Sequence, residues 1–112
     1  MTLRDFQDLI EAQYGRKDTR RGIERTFLWF VEEVGELAEA IRRGTKAERE
    51  EEFADVLAWL STMASMSGID LETAARAKYG RGCPRCRATP CRCAEPPSAD
   101  RRRGGGKRPK RA

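Results

Sequence analysis

The chain is 112 residues long with a formal net charge of +5, 37% charged residues and no histidine. That length leaves room for one small domain, and no apolar run approaches the length needed to cross a bilayer. The missing histidine excludes Ser/His and Cys/His nucleophile pairs and argues against a di-iron carboxylate bundle, which needs Glu-x-x-His on two helices.

The net charge conceals a split. Residues 1–80 carry 12 basic and 16 acidic side chains, whereas residues 81–112 carry 11 and 2. Large apolar residues are also scarce after Gly80, so the chain is expected to divide into an all-α body (1–80), a cysteine-rich segment (81–94) and a disordered basic tail (95–112).

At the N-terminus, Thr2 with Asp5 three residues on reads as a helix N-cap. Leu3, Phe6, Leu9, Ile10 and Gln13 give the first helix one mostly apolar face, and Gly15 is expected to end it. Charges at Arg4, Asp5, Asp8 and Glu11 leave no apolar stretch for an export signal. A reducing cytoplasm is therefore the expected location, where closely spaced cysteines favour metal over disulfides. The segment 16–22, RKDTRRG, reads as a basic loop, and its Arg20 and Arg21 are candidate phosphate ligands because guanidinium groups match phosphate oxygens bidentately.

A second helix is expected from Gly22 or Ile23 to Arg43, with Gly44 as a left-handed cap. Its stripe is Phe27, Phe30, Val31, Val34, Ala38 and Ile41, the three-and-four spacing of one helical face. Thr45 and Glu48 form a capping box for a third helix reaching about Ser67, striped by Phe53, Val56, Leu57, Leu60, Ala64 and Ser67. Gly68 closes it. Asp70 caps a fourth helix, Leu71 to Tyr79, on which Lys78 shares a side with Leu71, Ala74 and Ala75 and is expected to face the hairpin.

The acids of the two central helices are spaced symmetrically about Gly44. Glu36 and Glu52 lie eight residues before and after it, and Glu33 and Asp55 eleven before and after. An antiparallel hairpin closing there would set all four at matching levels beside an apolar seam. Carboxylates crowded in that way must protonate or share cations, and all-oxygen ligation suits Mg²⁺ or Mn²⁺. Trp29 and Trp59 extend the same faces one turn further, where a base could stack or a subunit interface could form.

ExxE followed after fifteen residues by ExxD, embedded in EEVGELAEAI and EFADVLAWL, resembles the MazG-like family of all-α nucleoside triphosphate pyrophosphohydrolases over roughly Thr2 to Lys78. The resemblance implies a four-helix fold, and Mg²⁺-dependent cleavage of an NTP or dNTP between its α- and β-phosphates. Carried over residue by residue, it makes Glu33, Glu36, Glu52 and Asp55 metal ligands. Glu32, the extra acid of the EE pair, is assigned with Glu33 to catalysis. Lys78, Arg20 and Arg21 would then meet the triphosphate. A body this small is expected to form a homodimer or homotetramer to complete its core.

The ending differs from the family's. Cys83, Cys86, Cys91 and Cys93, spaced CxxC, four residues, CxC, can supply four thiolates to zinc. The basic tail admits a weak nucleic-acid contact, and hence a competing reading: a non-catalytic, nucleic-acid-associated zinc module that uses the helical body for dimerisation.

Overall fold

The computed structural model describes residues 1–95, so the basic tail beyond Glu95 lies outside the described residues. Four helices run in order: α1 (Leu3–Arg21), α2 (Ile23–Arg43), α3 (Lys46–Met66) and α4 (Leu71–Tyr79). No strand occurs among the described residues, so the all-α expectation holds. The chain divides into two compact units, Met1–Ala74 and Ala75–Ala112. No helix among the described residues is long and apolar enough to cross a membrane.

Helix ends follow the capping chemistry in the sequence. Thr2 and Asp5 form a full capping box at α1, and the Thr45 hydroxyl accepts the Glu48 amide at the start of α3. The Asp70 carboxylate accepts the Thr73 amide at 2.9 Å at the start of α4. Arg4 on α1 reaches the same carboxylate at 2.9 Å.

Two expectations fail at glycines. Gly15 does not end α1, which continues as helix through RKDTRR to Arg21. Arg and Lys are good helix formers, and continuing the helix places Asp18 on its buried side. The break comes at Gly22, where φ 86 and ψ 158 lie in a region open essentially only to glycine. Gly44 is not left-handed: its φ is −83. A Cβ there would lie 2.8 Å from the Ala40 carbonyl oxygen, so close approach at the hairpin tip is what requires glycine.

In the first unit, α3 packs along both α2 and α1, while α1 meets α2 more lightly. The inward register of α2 is Thr26, Phe30, Glu33, Leu37 and Ala40, all buried or half-buried. This corrects the expected stripe, of which Phe27, Val31, Val34 and Ile41 are exposed, as are Phe53 and Leu60 on α3. Two stripes therefore run along α2, one of them closing the hairpin.

Against α1, α3 presents small residues, with Ser61, Thr62 and Ala64 buried. Polar side chains tie the two helices together. Gln7, 5% exposed, donates from Nε2 to Ser65 Oγ at 3.0 Å and to the Ile69 carbonyl at 2.8 Å. Its Oε1 accepts the Leu71 amide at 2.9 Å. One amide thus ties α1 to α3 and to the start of α4. Gln7→Leu strands the Ile69 carbonyl and the Leu71 amide, and a loss of roughly 2–3 kcal/mol is expected in urea unfolding.

Candidate functional site

The hairpin brings the acids together. Glu33, Glu36 and Glu52 each offer a carboxylate oxygen, and the three oxygens all lie within 4.8 Å of one another. Glu33 and Glu52 are half-buried, whereas Glu36 and Asp55 are exposed. Glu33 Oε2 and Glu52 Oε2 are shielded from solvent and have no hydrogen-bond partner. A buried carboxylate oxygen without a donor is costly.

The electrostatics agree with the geometry. Burial pushes the Glu33 carboxyl above the usual carboxylate range, and the charges of Glu36, Asp55 and Glu52 push it further. Burial likewise raises Glu52, with Glu36 and Asp55 adding to the effect. Asp55 therefore belongs to the same electrostatic cluster, although it is not among the three residues whose oxygens converge most closely. Glu32 is exposed next to Glu33.

One helical turn along the hairpin, the two tryptophans meet. Their rings are 5.5 Å apart at an interplanar angle of 63°, in the edge-to-face range that aromatic pairs favour. The Arg21 guanidinium lies 5.1 Å from the Trp29 ring centre and 4.9 Å from that of Trp59. Arg21 also pairs with Asp18 at 3.0 Å and donates to Thr26 Oγ1 at 3.3 Å. Asp18 in turn accepts from Thr62 Oγ1 at 3.3 Å.

Arg21 is thus no solvated loop cation, because its charge is already matched by a buried carboxylate. Sequence reasoning missed Asp18, Thr26 and Thr62. The available signal was their spacing: Asp18 stands three residues before Arg21, and Thr26 four before Phe30. Arg20 is exposed and lines a groove of about 870 Å³ with Arg16, Lys17 and Thr62. Lys78 belongs to the second unit, where its ammonium lies 5.5 Å over the ring of Tyr79.

The four cysteines also converge, their sulfurs lying within 4.8 Å of one another. The amides of Arg92 and Ala88 draw the Cys86 thiol down to about 6. Hydrogen bonding to Cys91 and Cys83 pushes Cys93 up to about 12.

Among known families, the chain matches the MazG nucleotide pyrophosphohydrolase domain over residues 21–86. No curated protein matches the chain. The matched stretch holds the acid hairpin, both tryptophans and the first two cysteines.

The crowded acids should cost the metal-free protein stability. Glu33→Gln keeps the shape and removes a charge, so it should raise the melting temperature of the metal-free protein. The pH dependence has the same origin. A carboxyl whose folded-state pKa is raised keeps its proton to higher pH when folded than when unfolded. In the metal-free protein the contribution of Glu33 and Glu52 should therefore grow as pH falls through their raised folded-state values, levelling off below the ordinary 4.5. Melting curves of the parent and the variant from pH 7.5 to 4, without divalent ions, measure both effects.

Proposed function

The chain belongs to the MazG nucleotide pyrophosphohydrolase family, whose domain spans more than half of it, and from that premise we propose a Mg²⁺-dependent hydrolase of nucleoside triphosphates. The reaction is cleavage between the α- and β-phosphates, giving a monophosphate and pyrophosphate. The observation that carries this reading is the pair of buried, partnerless oxygens on Glu33 and Glu52 within a three-carboxylate cluster. That donor set, all oxygen and rich in charge, fits a hard divalent ion.

Glu33, Glu36 and Glu52 would hold the ion, with Asp55 completing the set; Mn²⁺ would serve the same donors. When bound, the metal supplies neutralisation of phosphate charge and a water of lowered pKa. Glu32 is exposed and adjacent to Glu33, and its carboxylate would accept the proton of the attacking water. The Trp29–Trp59 pair would stack on the base, and Arg21 would fix the two rings rather than grip phosphate. Arg20, exposed beside it, would complement the outer phosphates.

The apolar face of α2 supports self-association. Phe27, Val31, Val34 and Ile41 recur at helical spacing and are each at least 41% exposed. Only Ile10, Ala40 and Ala64 are buried apolar residues among those described. A homodimer or homotetramer would cover what the single chain leaves in water.

Three measurements test this reading. Pyrophosphate should appear from a panel of NTPs and dNTPs only with Mg²⁺ or Mn²⁺, and Glu36→Gln or Asp55→Asn should slow it by at least about a hundredfold. Wild-type rates in both variants would refute the assignment. Trp59→Ala should raise KM by about ten- to a hundredfold, the worth of one base-stacking contact. Val34→Glu should shift the chain toward its 12.7 kDa monomer in light scattering; an unchanged mass would refute association through that face.

A further inference from the structure

Residues 75–95 fold without a core. None is buried, and from Gly80 to Glu95 there is no Leu, Ile, Val, Phe, Met, Tyr or Trp. Apolar burial therefore cannot account for a defined shape here. Yet the chain turns back tightly. The Arg87 amide donates to the Cys83 carbonyl at 2.6 Å, and the Cys83 amide to the Ala88 carbonyl at 3.1 Å. Arg87 adopts a left-handed φ of 58, and Gly82 a φ of 97. A Cβ on Gly82 would lie 2.9 Å from Thr89 Oγ1.

What converges instead is sulfur. All four cysteines are free thiols. Cys83 and Cys93 sulfurs are 3.8 Å apart, Cys86 and Cys91 4.0 Å, and Cys83 and Cys91 3.5 Å. A tetrahedron built on zinc–sulfur bonds of ordinary length has an edge of about 3.8 Å. The three distances bracket that edge. Backbone amides are aimed at the same atoms: Arg92 N–H at Cys86 Sγ and Cys93 N–H at Cys91 Sγ, each at 3.3 Å. Donors of this kind stabilise thiolate charge around a bound cation.

We propose that Cys83, Cys86, Cys91 and Cys93 form a structural zinc site, four thiolates around one ion, and that this ion holds the 82–93 turn in place of a hydrophobic core. Four sulfurs leave no open coordination position, so the site is structural rather than catalytic. Soft thiolates select zinc over magnesium. A tetrathiolate zinc centre carries two net negative charges, and Arg81, Arg85, Arg87 and Arg92 are interleaved with the cysteines to balance them. The cysteine site shares no residue with the acid cluster.

Elemental analysis of the full-length chain, purified under reducing, chelator-free conditions, tests it. Close to one zinc per chain is expected, with the four thiols unreactive toward a thiol reagent until a strong chelator is added. Exchange with Co²⁺ should produce the absorption bands of a tetrahedral tetrathiolate. The double variant C83S/C86S should lose the zinc while keeping the helical circular dichroism and any pyrophosphate release of the parent. A chain with no zinc and four reactive thiols, iron in place of zinc, or a double variant that retains full zinc content would each overturn the proposal. Hydrolysis is read separately, so a zinc-loaded but inactive chain would count against the enzyme and not against this site.

Discussion

Repulsion among carboxylates at the seam between α2 and α3 is the constraint on which the first unit turns. Glu33 stands in the inward register of α2, between Phe30 and Leu37, and Glu52 is half-buried on α3. A sequence selected only for stability would place leucine at such positions. Instead, two carboxyl oxygens are shielded from water without a hydrogen-bond partner. The cost of that arrangement must be met by the rest of the fold, and either protonation or an ion shared among the acids would remove it.

The rest of the unit shows where the compensation comes from. Small residues on α3 let α1 come close, and buried side-chain hydrogen bonds tie the helices at each end of the contact: Gln7 near the start of α4, and Asp18 with Thr62 near the far end of α1. Arg21 then links Asp18 to the two tryptophans. Helix packing, polar anchoring and the aromatic pair form one connected set next to the acids. Such a set fixes side-chain geometry more strictly than apolar contact alone, because each buried polar group has few acceptable positions.

Much of this was legible in the sequence, for identifiable reasons. Helix termini could be placed because Thr2, Thr45, Asp70 and Gly68 act through local capping chemistry that does not depend on tertiary context. The meeting of the acids could be placed because symmetric spacing about Gly44 fixes axial level in any antiparallel hairpin, and the same arithmetic sets Trp29 opposite Trp59, fifteen residues to either side. What periodicity could not decide was which of two stripes on α2 faces inward. Hydrophobicity favours Phe27, Val31, Val34 and Ile41, yet the inward face carries Thr26 and Glu33. A helix with two apolar faces has two packing obligations, and one chain meets only one of them here. Gly15 misled for a related reason: its local preference was outweighed by the long-range contact that Asp18 makes with Thr62.

The two ligand sets also sort metals by chemistry. The acid cluster offers only carboxylate oxygen, and the cysteine turn only thiolate sulfur. Magnesium binds sulfur poorly and prefers to keep much of its water, whereas zinc has little reason to leave four thiolates for exposed carboxylates such as Glu36 and Asp55. On the readings proposed above, each set would fill from a mixed pool without robbing the other. The consequences of loss differ as well. An ion leaving the hairpin would remove the partner of charged groups in a unit still held by helix packing and by the Gln7 and Asp18 hydrogen bonds. Loss of the proposed zinc from the cysteine turn would remove the main cohesive element of a segment with no buried residue. On the proposed readings, an ion at the first site could exchange without unfolding its unit, whereas loss of the proposed zinc would undo the second.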